Sequence, residues 1–182
     1  NTPAGFEPAS SNYMGNKGFF DNPWCDRGDT FQRKKVCYNN GIFYGDSEVG
    51  LNDITVGTSK TFLIGERDFR CLAGTWIGAR NPPGPDMWSA YYVNARTSIK
   101  FNFPSTGAHN TCTEGFSSAH NGGGHFAMCD GSVSFVSDDI GFRIDRQTRT
   151  QYRPGLTLHN PQELGVYQLL SIRDDSVPLE IE

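Results

Sequence analysis

The stretch SSAHNGGGHFAMCDGSVSFVS, Ser117 to Ser137, gathers two His, a Cys and an Asp between positions 120 and 130. By residue type, His120, His125, Cys129 and Asp130 are all metal ligands, and an imidazole near a serine is also a start for acid–base chemistry. Spacing decides what they can do together. Asp130-Gly131 lies between two alternating runs, HFAMC and SVSFV, which predicts a hairpin with a two-residue turn. In that register Cys129 faces Ser132, Met128 faces Val133, Ala127 faces Ser134, Phe126 faces Phe135 and His125 faces Val136. Phe126, Met128, Val133 and Phe135 then share the apolar face. His125, Ala127, Cys129, Ser132 and Ser134 share a small, mixed one. At about 3.3 Å per residue, His125 and Asp130 stand roughly 17 Å apart. A site common to all four is therefore geometrically poor. Asp130 reads as a turn former, and His120 as a residue ordering the Gly122–Gly124 entrance through a backbone hydrogen bond.

Other constellations are weaker. Gly122-Gly123-Gly124 lacks the Lys-Ser/Thr and the helix that a phosphate loop needs. Ser117 and Ser118 have no Gly-x-Ser-x-Gly elbow around them. Glu66 ends an apolar run and could act as a catalytic carboxylate, but with Arg67 beside it the expected role is a structural ion pair. Asp138 and Asp139 are adjacent carboxylates that would suit a hard cation together with loop carbonyls, so calcium is the metal considered there. The competing reading is a solvated loop that caps the hairpin. No other cofactor is indicated.

The five cysteines, Cys25, Cys37, Cys71, Cys112 and Cys129, contain no Cys-x-x-Cys pair, which argues against a structural zinc site. Cys25 and Cys37 flank a polar stretch that a disulfide could close as a hairpin tip. Cys71 and Cys112 flank a segment rich in Pro and Gly. Cys129 is left as the free thiol. These pairs imply an oxidising compartment; five buried thiols in a reducing one are the alternative.

The elements that must position these residues come from one domain, since 182 residues fit a single unit with a large insertion. The hydrophobic fraction of 36%, with 21 Gly and 10 Pro, predicts many loops and turns, while 13% aromatics are too many for disorder. The net charge of -4 with interspersed signs offers no basic tract for nucleic acid or anionic lipid. There is no apolar run of the length a membrane helix needs. An opening of NTPAGFEPASSNY, without Met, reads as a processed product or a fragment. Asp53 is expected to cap a helical turn through Thr55 to Thr58. KTFLIGER reads as a strand with Phe62 and Ile64 on one face and Leu63 on the other, and AGTWIGAR as a second strand. Residues 81–113 have weak periodicity but many aromatics, and read as a packed insertion on the sheet. Asn160 as N-cap, Pro161 at the first helical position and Glu163 completing a capping box predict a C-terminal helix. Leu164, Tyr167 and Leu170 would form its buried face.

FSSAHNGGGHFAMCDGSVSFVSDDI resembles the signature of the prepilin-type processing-associated family (domain of unknown function 1559), a His, nine residues, then Asp-Gly; here these are His120, Asp130 and Gly131. LNDITVGTSKTFLIGER, VYQLLSIRDDSVP and ASSNYMGNKG are similar to three further stretches of that family. The resemblance implies a pilin-like or pseudopilin-like head. That is an α+β, β-rich fold with an antiparallel sheet, long loops, a large insertion and a short C-terminal helix. The hydrophobic N-terminal helix that precedes such heads is absent from this sequence, so membrane contact is expected only through that missing helix. Related pseudopilins bind calcium in C-terminal loops, which is the resemblance's contribution to the Asp138–Asp139 expectation.

The function expected is that of a non-enzymatic, exported structural protein of a bacterium, placed at the cell surface, outside the cell or in the periplasm. It would self-associate or dock on other pilin-like or surface proteins, in a filament or secretion apparatus of type IV pilus or type II secretion kind. Trp88, Tyr91 and Tyr92 are the expected interface aromatics. The alternative is a carbohydrate-binding or adhesion module that stacks Trp76, Trp88, Tyr91 and Tyr92 on a polysaccharide, with calcium nearby. A hydrolase using Glu66 or His120 is the third reading.

Overall fold

The computed structural model describes residues 9–19, 40–44, 47–71, 74–75, 93–104, 111–143 and 164–174. Strand β2 (Tyr13–Gly18), β3 (Phe62–Glu66), β5 (Asn94–Arg96), β6 (Gly123–Met128) and β7 (Val133–Ser137) form one sheet in the order β5-β2-β3-β6-β7. Two short strands, β1 (Ser10–Ser11) and β4 (Gly74–Thr75), pair separately. The chain is thus β-rich, as expected. The sheet is mixed and not purely antiparallel, because β5 runs parallel to β2. That strand comes from the segment read as an insertion. The same segment buries Ala95, Ile99 and Phe101, so part of it belongs to the fold itself.

Burial of aromatic rings organises the sheet. Phe126 on β6 is fully buried and stacks on Phe62 of β3, with centroids 4.3 Å apart. It also meets Phe101, Phe116 and Tyr167 edge-on at 5.5, 5.1 and 6.4 Å. Rings of this size each contribute on the order of 1.5–3 kcal/mol on burial, and such pairings about 0.5–1.5 kcal/mol more. Once Phe126 points inward, strand alternation turns its neighbours His125 and Ala127 to the opposite face.

Two irregularities set which side chains join them there. On β3, Phe62 pairs with Met128 but Ile64 pairs with Ala127, so β3 carries one residue more than β6 over this step. This is a β-bulge, and it shifts the alternation by one. Phe62 and Gly65 face the core, while Ile64 and Glu66 face the other way. The expectation that Phe62 and Ile64 share a face is therefore corrected. On the hairpin, the Met128 carbonyl accepts the Gly131 N–H at 3.0 Å and the Ser132 carbonyl accepts the Met128 N–H at 2.8 Å. The loop has three residues, with Gly131 at φ +86° in the left-handed position that such loops require. Asp130 is its turn former: its Oδ1 accepts the N–H and hydroxyl of Ser132 at 2.9 and 2.6 Å.

A three-residue loop moves the register by one from the expected two-residue turn. His125 pairs with Phe135 and Ala127 with Val133. A one-residue slip exchanges the two faces of a strand. Val136 is buried, whereas Val133 and Phe135 stay 65% and 53% exposed beside His125. The expected apolar face of Phe126, Met128, Val133 and Phe135 is corrected on this ground.

The C-terminal element closes the core. Helix α1 (Val166–Leu169) starts later than expected, with Gly165 as N-cap; the Gln168 Oε1 accepts the Gly165 N–H at 2.8 Å. Asn160, Pro161 and Glu163 lie outside the described residues. Leu164, Tyr167 and Leu170 are buried, as their spacing predicts. The buried Asn16 of β2 ties this element to the sheet by donating to the carbonyls of Phe62 and Ser171 at 2.7 and 2.8 Å. Asp53 does not cap the turn after it. Its Oδ2 accepts the Gly50 N–H at 2.8 Å and closes the turn Leu51–Asp53.

Gly65 is required where it stands, because a Cβ there would overlap the Phe126 ring and lie 2.6 Å from Cδ1 of Phe116. Gly65→Ala is expected to destabilise by about 1–3 kcal/mol through overpacking. Gly50→Ala, where the nearest atom would be 3.6 Å away, should stay within about 0.5 kcal/mol. Urea denaturation of the two variants checks this, and equal losses would contradict it.

Candidate functional site

The outer face of the sheet carries a row of side chains across four strands. Tyr13 on β2 pairs with Glu66 on β3, and Gly65 pairs with Phe126, which sets Glu66 beside His125 on β6. His125 pairs in turn with Phe135 on β7. The bulge in β3 is what brings Glu66 to this face. The three-residue hairpin loop is what brings Phe135 to it, where its ring meets the His125 ring edge-on at 5.2 Å.

His120 reaches the row from the turn that precedes β6. Its Nε2 is 3.5 Å from Glu66 Oε1, and His125 Nδ1 is 3.7 Å from the same oxygen. The two imidazoles stand perpendicular with centroids 5.4 Å apart. One donor atom from each of Glu66, His120 and His125 lies within 4.8 Å of the others. Among the described residues this is where three His, Cys, Asp or Glu side chains converge at ligand spacing. Tyr13, Ile64, Ala127 and Val133 complete the wall of a depression of about 380 Å³ over these groups.

Glu66 is held from behind. Its Oε2 accepts the His125 backbone N–H at 3.0 Å, and its carboxylate takes a hydrogen bond from the Ser118 side chain. Its backbone carbonyl accepts the Ser117 N–H at 2.9 Å. Ser118 is itself fixed, since its N–H donates to Asn102 Oδ1 at 2.6 Å and its Oγ accepts the His120 N–H at 3.2 Å. Asn102, at φ 54°, donates from Nδ2 to Asp138 Oδ1 at 2.5 Å. A chain of contacts therefore runs from Asp138 through Asn102 and Ser118 to Glu66. The Cys71–Cys112 disulfide joins the turn after β3 to the turn before Ser117, so it tethers the segment that carries His120.

Partial burial raises the Glu66 carboxyl's pKa, but the His125 N–H, the Ser118 hydrogen bond and the two imidazoles outweigh it. The net result is a pKa below the usual glutamate range. Arg67 takes no part, because the next residue along a strand points the other way. It is buried and donates to the carbonyls of Gly115 and Asn94, each at 3.0 Å. The expected Glu66–Arg67 ion pair is thus replaced by Glu66 with two histidines.

His120, His125, Cys129 and Asp130 do not share a site; His120 and His125 meet, and Asp130 stays at the far end of the hairpin in its turn. His120 does not order the glycine entrance through its side chain, which faces Glu66 instead. Cys71 and Cys112 are bonded and Cys129 is free. Burial, with Asp130 nearby, pushes the Cys129 thiol up to about 11, so it is a poor nucleophile at neutral pH. Asp138 is engaged by Asn102, and no third acidic, His or Cys side chain joins it and Asp139 at ligand spacing among the described residues. Cys25, Cys37, Trp76, Trp88, Tyr91 and Tyr92 lie outside the described residues. Tyr13 was not singled out by the sequence, where a lone aromatic in SSNYMGN was the available signal; the structure leaves its ring exposed.

The Glu66 shift has a consequence for stability. Its folded pKa lies below its unfolded one, so the ionised carboxylate stabilises the fold above the ordinary glutamate value, about 4.3, and this is lost as acid protonates it. With chelator present, the denaturant midpoint of the unaltered chain should fall more steeply from about pH 6 to pH 3 than that of Glu66→Gln. Parallel pH profiles would contradict the assignment.

Comparison with known proteins adds one match. A family described as "Protein of unknown function (DUF1559)" matches residues 3–143, which include both histidines, Glu66, the disulfide and the hairpin. No curated protein and no solved structure matches the chain. With well over half of its length matched, the chain belongs to the DUF1559 family.

Proposed function

We propose that this chain is the head of an exported, non-enzymatic structural subunit of pilin-like kind, working at a bacterial cell surface or in the periplasm. The observation that carries the reading is the Cys71–Cys112 disulfide. Such bonds persist in oxidising compartments and are rare where thiols are kept reduced. The resemblance of His120, Asp130 and Gly131 to the prepilin-type processing-associated mark supports it, in a chain whose residues 3–143 match the DUF1559 family. A surface for assembly is available on the outer sheet face, where Tyr13, Val133 and Phe135 are 60%, 65% and 53% exposed. Exposed apolar groups clustered in this way mark contact surfaces more often than scattered ones do. The partner on this reading is another copy of the chain or another surface protein.

The test is fractionation of cells that make the protein, with a non-reducing peptide map of what is recovered. The chain should appear in the periplasmic, surface or sheared-filament fraction, with the peptides of Cys71 and Cys112 linked. A cytoplasmic protein with both thiols free would overturn the reading.

A further inference from the structure

We propose that Glu66, His120 and His125 form a binding site for one divalent transition cation of the zinc class, held by Oε1 of Glu66, Nε2 of His120 and Nδ1 of His125. The distances favour an ion over direct contact. At 3.5 and 3.7 Å, neither imidazole nitrogen is within the usual 2.7–3.2 Å of a hydrogen bond to Glu66 Oε1. Two ligands each about 2.0–2.1 Å from a tetrahedral ion stand about 3.3 Å apart, so a small adjustment of exposed side chains closes the set.

The donor set selects the metal. Two imidazoles and one carboxylate suit zinc, cobalt, nickel or copper, whereas calcium and magnesium take oxygen ligands. The support around the ligands is of the kind a metal site needs. Oε2 of Glu66 is occupied by the His125 N–H, which leaves Oε1 to face both rings, and Ser118 holds both the Glu66 carboxylate and the His120 backbone. Hydrogen-bonded carboxylate ligands of this sort are pre-oriented before the ion arrives. His120 and His125 are 59% and 48% exposed along their side chains, and the depression over them gives an entry path. Three protein ligands leave a fourth position open to water or to a group from outside the chain. This assignment does not depend on export or on a pilin-like role.

Titration of the 182-residue chain with Zn²⁺ alone, after chelator treatment, tests it. One equivalent should bind with a Kd on the order of micromolar or tighter, and Co²⁺ should give visible ligand-field bands when it takes the same site. His120→Ala and His125→Ala should each weaken Zn²⁺ binding by at least about 100-fold, since loss of a mere supporting contact already costs about 10–100-fold. Asp139→Asn should bind as the unaltered chain does, and Ca²⁺ in large excess should not displace Zn²⁺. His120 sits in an exposed turn, so its variant carries the test if His125→Ala alters the near-UV circular dichroism. No Zn²⁺ binding tighter than about millimolar, or His120→Ala binding with unchanged affinity, would overturn the proposal.

Discussion

The arrangement depends on the burial of one ring. Phe126 sits where Phe62, Phe101, Phe116 and Tyr167 meet, and these come from β3, from two loops and from the C-terminal helix. Turning it outward would expose the centre of the core, at a cost of several kcal/mol by the measure of large-to-small core changes, about 3–5 kcal/mol for Phe. With Phe126 inward, His125 must face out. The same ring occupies the space a side chain at position 65 would need, so Gly65 faces in and Glu66 faces out. The outer site is thus the reverse side of the core.

Loops complete what the strands begin. His120 belongs to no strand, yet it is positioned by a sequence of contacts that starts at Asp138 and passes through Asn102 and Ser118. The disulfide between Cys71 and Cys112 restrains the path between β3 and that loop. Asp138 therefore contributes by holding a hydrogen-bonded support, two residues removed from the carboxylate it helps to place. The nine residues between His120 and Asp130 also gain a meaning. They span a turn, the six residues of β6 and the start of a three-residue loop, with an imidazole at one end and a turn-forming carboxylate at the other.

Much of the framework was legible in the sequence. The alternation of HFAMC and SVSFV revealed the hairpin, Asp130-Gly131 marked its turn, and the Leu164, Tyr167 and Leu170 spacing marked the buried face at the C-terminus. The Cys71–Cys112 pair and the free Cys129 were also readable. What escaped were two shifts of one residue each. A two-residue and a three-residue loop both accept Asp-Gly, and choosing between them depends on backbone hydrogen bonds that the sequence does not display; the choice exchanged Val133 and Phe135 for Val136 in the core. The bulge in β3 is likewise silent in KTFLIGER, because Ile64 and Leu63 are equally apolar and only the ring of Phe126 decides which side Gly65 must take. Glu66 consequently looked like the partner of its neighbour Arg67. Its convergence with His120 and His125 is a contact over more than fifty residues of chain, to which local periodicity is blind.

The most direct test of these linked claims is an anomalous difference map, at the zinc absorption edge, from crystals of the chain grown with Zn²⁺. The account predicts a peak about 2.0–2.2 Å from Glu66 Oε1, His120 Nε2 and His125 Nδ1, with Phe126 buried directly behind it. A peak at Asp138 and Asp139, or the three side chains found apart with no peak between them, would contradict it.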